Sequence, residues 1–264
     1  MRLGLAQICT LPATMADDLI AVQAAGSTIL EAWLTKLEQS IAPDLAKDLA
    51  DRGLSIPVAA GQGGILPGAE HHHDHFRRRL DLCQRLGIGT IVVAPDALPK
   101  ATIADLARVA GSLARAGEWA AAFGVNVAVE FQAGNPLLST LETAALLVEQ
   151  VGMPNVGICL DAFHYSIGPS KPADLNLLSA DNLFHVQLCD VAGVPREYAK
   201  DADRVFPGEG DFDLRPIMTR LNDIGYDRTV TLEVMNPVLW KRKPSQVMEL
   251  GFAALKRTLT SRQP

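Results

Sequence analysis

The chain has 264 residues, 48% of them hydrophobic and 20% charged, enough for one large domain with its own core. Its formal charge of -6 carries no basic excess or stripe, which argues against a nucleic-acid binder. No apolar run reaches the roughly 18 residues of a membrane span, and Met1–Ile8 lacks a signal-peptide layout, so a cytoplasmic location without a membrane partner is expected.

Short strand-like runs alternate with longer amphipathic ones. The strand candidates are Arg2–Ile8, Thr28–Leu34, Ile56–Gly61, Thr90–Pro95, Val125–Phe131, Val156–Asp161, Leu183–Leu188 and Thr229–Val234. Helical patterns lie near Asp17–Ala24, Pro43–Asp51, Glu70–Leu86, Ile103–Phe123, Thr140–Val151, Pro172–Leu178, Leu214–Ile224 and Ser245–Thr260. Pro43 and Pro244 suit first helical turns, and Asp213 and Ser245 suit caps. Ser139 with Glu142 has capping-box spacing. Gly87, Gly124 and Gly225 each close a helical run before the next strand. A β-α unit repeated in this way over residues 1–264 predicts a single-domain α/β protein, a (β/α)8 TIM barrel. A doubly wound open sheet is the alternative, but no dinucleotide fingerprint follows the first strand. The glycine-rich stretch from Gly61 to Gly68 reads as a strand-end loop.

Three apolar runs end in a carboxylate: Glu130, Asp161 and Glu233. A buried carboxylate needs a partner, and these runs contain no Lys or Arg. Salt bridges from elsewhere in the chain would satisfy them singly. Three strand-end carboxylates together favour one shared cation. Gln187 ends a fourth run and adds an amide oxygen. An oxygen-only set suits Mn2+ or Mg2+, with Co2+ or Zn2+ as alternatives.

His164 follows Asp161 by three residues and can donate to a substrate oxygen, or can be an ordinary loop histidine. His185 is one ladder step deeper than Gln187, and is read as a packing partner behind it or as a substrate contact. Arg204 lies in the long segment Asp190–Asp213 after the seventh strand, and can clamp a substrate oxygen or stand solvated. The cluster His71-His72-His73-Asp74-His75 reads as a solvated helix start, since consecutive histidines point in different directions. The four cysteines lack metal-site spacing and read as buried reduced thiols. Trp33, Phe131, Phe163 and Trp240 are candidate apolar walls.

These residues together resemble the xylose isomerase-like barrel superfamily of sugar isomerases, epimerases and dehydratases. The resemblance implies metal ligands at the ends of strands five to eight, here Glu130, Asp161, Gln187 and Glu233. Asp161 to His164 matches the family's Asp-x-x-His, and Arg204 to Gly208 its Arg-x-x-Pro-Gly; the imidazole and guanidinium would contact substrate. Ketose 3-epimerases have histidine at the third ligand position, and a substrate-binding glutamate where this chain has Pro136. Glutamine at that third position is the pattern of hydroxypyruvate isomerase and 3-dehydroshikimate dehydratase. The DNA-repair branch carries extra histidines at strand ends that here read Gly61-Gln62-Gly63 and Ala94-Pro95-Asp96.

The expected activity is isomerisation or epimerisation of a small polyhydroxy carbonyl compound through an enediolate. Glu130 and Glu233 would exchange the proton, and His164, Arg204 and His185 would be the candidate substrate contacts. Elimination from a β-hydroxy ketone shares the first step and is the alternative. A non-catalytic sugar-binding barrel and a DNA-repair nuclease stand behind both. A homo-dimer or homo-tetramer is what the family leads one to expect.

Overall fold

A computed structural model describes residues 1–40, 44–63, 73–96 and 101–260. Eight parallel strands close into a barrel: β1 (Arg2–Ala6), β2 (Ile29–Trp33), β3 (Ser55–Gln62), β4 (Thr90–Val93), β5 (Asn126–Glu130), β6 (Val156–Asp161), β7 (Leu183–Leu188) and β10 (Thr229–Leu232). The order around the wall is β1-β10-β7-β6-β5-β4-β3-β2, so β1 pairs with both β2 and β10 and seals the ring. The expected (β/α)8 architecture is what the chain adopts.

The helices are α1 (Met15–Ala24), α2 (Leu34–Gln39), α3 (Leu45–Arg52), α4 (His73–Leu86), α5 (Ile103–Ala122), α6 (Leu141–Val151), α7 (Ala162–Ile167), α8 (Arg215–Asp223) and α9 (Pro244–Thr260). No described helix is long and apolar enough to cross a membrane. Local sequence sets their ends. Thr14 accepts from the Asp17 amide at 3.2 Å while Asp17 accepts back, a capping box that starts α1. Thr102 and Asp105 begin α5 in the same way. Gly87, Gly124 and Gly225 take the left-handed backbone that ends α4, α5 and α8.

Several local expectations are corrected. Thr140 with Thr143, not Ser139 with Glu142, caps α6. Ser245 lies inside α9, one residue after Pro244, which does occupy the first turn. Pro172–Leu177 is a 3-10 segment rather than an α-helix. Two short helices escaped the periodicity reading, α2 and α7, each starting where a strand ends. Both are about two turns or less, too short for a 3.6-residue pattern to show. Pro43, His71, His72 and the Gly64–Gly68 part of the glycine-rich stretch lie outside the described residues.

The main core fills the space between strands and helices, with Leu30, Ile91, Val127, Leu160, Val186, Val230 and the apolar faces of α1, α4 and α9 all buried. A second, smaller cluster of Val58, Ala60, Val92, Ala128, Cys159 and Phe184 sits apart from it. The register of β7 against β6 slips between two residues: Ile158 faces Leu183, but Cys159 faces His185. Phe184 is the extra residue of this bulge. It joins the small cluster, and the residues beyond it change phase. His185 and Gln187 thereby reach across to the β2 and β10 side chains.

Gly157 leaves the room that Phe184 needs. A Cβ there would lie 2.6 Å from the Phe184 ring and 2.7 Å from the backbone oxygen of Asn182. Gly157→Ala is therefore expected to destabilise the barrel by about 1–3 kcal/mol, an overpacking cost. A fall in the denaturant midpoint with unchanged slope checks it, and no fall would mean that β7 can shift freely.

Candidate active site

The long segment after β7 lies at the end of the barrel where Asp161 and Glu233 stand. It is not structureless: Asp190–Val191 (β8) and Arg204–Val205 (β9) form a small antiparallel ribbon. The fully buried Asp190 carboxylate holds it, accepting from the amides of Val191 and Phe212 at 2.9 Å and of Gly208 at 3.1 Å. Gly210 packs against that carboxylate so closely that a side chain has no room. The result is that Arg204 is drawn in from a loop and is 1% exposed.

Arg204 sits among carboxylates. Its Nη1 donates to Glu233 Oε2 at 2.9 Å, and its Nε and Nη2 donate to Asp201 Oδ1 at 3.0 and 2.7 Å. The guanidinium carbon lies 4.2 Å from the centre of the Phe163 ring, a cation–π contact. Nη2 also lies 2.8 Å from Asp161 Oδ2. That approach is off the hydrogen-bonding directions, so Oδ2 is buried with charge beside it but no hydrogen bond. The other oxygen, Oδ1, accepts from the Phe163 amide at 2.8 Å and starts α7.

Glu130 ends β5 and faces the same space. His164 lies between Glu130 and Asp161, with Nε2 3.9 Å from Glu130 Oε1 and 3.8 Å from Asp161 Oδ2. These three residues offer ligand atoms all within 4.8 Å of one another. Glu233, just past β10, and Gln187, on β7, complete the wall. Gln187 Nε2 donates to Glu233 Oε1 at 2.9 Å, and its Oε1 accepts from the Cys159 thiol at 3.2 Å. The side chains enclose a cavity of about 150 Å3, lined among others by Trp33, Glu130, His164, Arg204, Glu233 and Met235.

Electrostatics follows from this crowding. Burial, reinforced by Asp161, pushes the Glu130 carboxyl up to about 8, with Arg204 pulling the other way. Burial also holds Glu233 well above the usual carboxylate range, against the pull of Arg204. His164 is lowered by burial, partly offset by Asp161. Burial keeps Cys9, Cys159 and Cys189 as thiols. A divalent cation suits the orphaned Asp161 oxygen and the proton-hungry glutamates, because it would replace protons that the buried carboxylates otherwise retain.

Most of the sequence-derived site residues converge here. Glu130, His164, Gln187, Arg204 and Glu233 line the cavity, and Asp161 stands beside Arg204 and His164. His185 lies below, fully buried, with Nε2 2.9 Å from Glu31 Oε2. Of the proposed walls, Trp33 lines the cavity and Phe163 carries Arg204. Trp240 instead donates to the Ile8 carbonyl, and Phe131 is buried in the outer core. His73 packs edge-on to Trp119, and His75 pairs with Glu38 at 2.6 Å.

Sequence reading missed Glu31, Asp190, Asp201 and Cys9. Glu31 is a carboxylate within the apolar run Ile29–Trp33, the same signal that marked Glu130. Cys9 accepts from the Val234 amide at 3.2 Å and lies 3.5 Å from the Leu232 carbonyl, gripping the backbone on either side of Glu233.

Comparison with known proteins agrees with the barrel architecture. Residues 19–258 match the family model for the xylose isomerase-like TIM barrel. An inosose isomerase of Bacillus velezensis is 29% identical over 170 residues, which is 63% of this chain and 60% of that enzyme. A 3-dehydroshikimate dehydratase of Pseudomonas aeruginosa is 28% identical over 235 residues, 86% of this chain but 37% of that enzyme. Among solved structures, the IOLI protein with a bound zinc atom superposes with a TM-score of 0.91 over 100% of this chain and 99% of that one, at 22% identity.

A stability test follows from the raised glutamate. Glu130 keeps its proton to about pH 8 in the fold, against an ordinary value of 4.5. Between those values the folded protein binds more protons than the unfolded chain, so stability contributed by this group is present at low pH and falls as pH rises. Metal-stripped protein should therefore lose thermal stability from about pH 5 to pH 8. Glu130→Gln should flatten that fall, as read by differential scanning fluorimetry.

Proposed function

This chain belongs to the xylose isomerase-like TIM barrel family, and on that premise we propose that it is a divalent-metal-dependent isomerase or epimerase of a small sugar-like carbonyl compound. Relatives named as inosose isomerase, ketose 3-epimerase and dehydratase support that class. One observation carries the reading. Glu130 and Glu233, from different stretches of the barrel wall, face one small cavity with their proton affinities raised by burial.

Glu130, Asp161, Gln187 and Glu233 would hold the cation, with His164 at the rim. Their oxygen donors favour Mn2+ or Mg2+. A divalent cation there supplies Lewis acidity that makes the C–H beside a substrate carbonyl easier to ionise. The protein does the rest. Glu130 takes a proton from that carbon; Glu233 returns one to its opposite face or, in isomerisation, to the old carbonyl carbon, while the proton of the adjacent hydroxyl passes to the old carbonyl oxygen. The roles exchange for the reverse reaction. Arg204, held over the Phe163 ring, presents its guanidinium to an oxygen that gains charge. The unpartnered Nδ1 of His164 leaves that ring free to adjust to a substrate hydroxyl. Trp33 and Met235 close the side of the cavity and limit water.

Elimination is the second reading, and one observation favours it. The match to 3-dehydroshikimate dehydratase runs over 86% of this chain, further than the 63% matched to inosose isomerase. The same enolate would then expel the β-hydroxyl, which takes a proton from a cavity glutamic acid and leaves as water, in place of being reprotonated at carbon.

Incubating the Mn2+-loaded protein in D2O with polyols' keto forms and with cyclic β-hydroxy ketones separates the two. Deuterium at the carbon next to the carbonyl, without new ultraviolet absorbance, supports isomerisation. A conjugated-enone band supports elimination. Glu130→Gln and Glu233→Gln should each lower kcat by about 10²–10⁴-fold. Full activity in either variant would remove that residue from the proton path.

A further inference from the structure

Below the cavity, three donors and no acceptor converge on Glu31. Gln187 Nε2 donates to its Oε1 at 2.7 Å, His185 Nε2 lies 2.9 Å from its Oε2, and the Thr231 hydroxyl donates to the same oxygen. Glu31 is 1% exposed and stands behind Gln187 rather than at the cavity wall. It comes from β2, while its three partners come from β7 and β10. The contact therefore spans the interior rather than linking neighbouring strands.

An amide side chain is nearly symmetric in shape, and its neighbours decide which end is nitrogen. The Glu31 carboxyl oxygen at 2.7 Å decides it for Gln187: the nitrogen faces Glu31 and donates to it. The second amide hydrogen then reaches Glu233 Oε1 at 2.9 Å. The oxygen is left with the Cys159 thiol, a weak donor, at 3.2 Å.

We propose that Glu31 is a positioning residue that orients the Gln187 amide, tying its nitrogen to Glu233 and reserving its oxygen for a divalent cation. This rests on the metal site proposed above. Nothing in the strand geometry alone would choose between the two amide orientations. A turned amide would present N–H2 to the cation and would set its oxygen against Glu233, two repulsive contacts in place of two attractive ones.

The test is a double-mutant cycle on metal affinity, read by competition with a chelating Mn2+ indicator. Glu31→Gln offers either an oxygen or a nitrogen to Gln187 and so leaves Glu233 alone to select the orientation. It should weaken Mn2+ binding about 10–100-fold, the usual effect of a residue that orients a ligand. Glu31→Asp keeps the charge but shortens the reach, and should fall between wild type and Glu31→Gln. In a Gln187→Ala background, Glu31→Gln should cost almost nothing further. Equal losses with and without Gln187 would overturn the proposal, because Glu31 would then act through general stability. The proposal is overturned as well if Glu31→Gln lowers the metal-free melting temperature while leaving Mn2+ affinity unchanged. Should the wild type bind no Mn2+ at all, the metal site itself fails, and this role with it.

Discussion

The barrel mouth is governed by one electrostatic constraint: Glu31, Glu130, Asp161 and Glu233 are all buried, and the Arg204 guanidinium meets only Asp161 and Glu233 among them. Water does not screen these groups, so each must find a proton, a donor or a cation. Arg204 serves Glu233 and stands against Asp161, while Glu31 is met by Gln187, His185 and Thr231. Glu130 has the least help, and burial leaves its carboxyl holding a proton up to about pH 8. The chemistry of the site is the unresolved remainder of this charge balance. A group left basic by burial, beside a place where a cation fits, is what proton abstraction from carbon requires.

The scaffold offsets such crowding elsewhere. Nearly all strand residues are buried, and the apolar core between strands and helices is continuous. Against that stabilisation the polar centre is a local cost. The bulge at Phe184 shows how closely the two are joined. Without it, Gln187 would turn to the other side of the sheet. The direction of the Gln187 side chain thus depends on a packing detail at the opposite end of the same strand, where Gly157 makes room for an aromatic ring.

Much of this was legible in the sequence. Alternating β and α patterns pointed to the architecture, and each barrel strand lies within about two residues of its expected position. Glu130, Asp161 and Glu233 stood out because a carboxylate closing an apolar run has no cheap structural explanation. Glu31 carried the same mark but sits in the middle of its run, and only the three-dimensional crossing to β7 and β10 shows its partners. Asp190 could not be read, because it serves amides 18 and 22 residues further along the chain. The orientation of the Gln187 amide depends on a contact 156 residues distant in sequence. Pattern reading finds groups that are out of place locally; it does not find what they have been brought to meet.

The loop that carries Arg204 has two parts with different freedom. Its base is fastened to Asp190 and to the β8–β9 ribbon, while Ala192, Gly193 and the stretch from Pro195 to Tyr198 are exposed. Length and composition in that outer part can drift without disturbing the guanidinium. The tip is therefore the part of this segment where the chain can be rebuilt while the fastened base keeps Arg204 on Glu233 and Asp201.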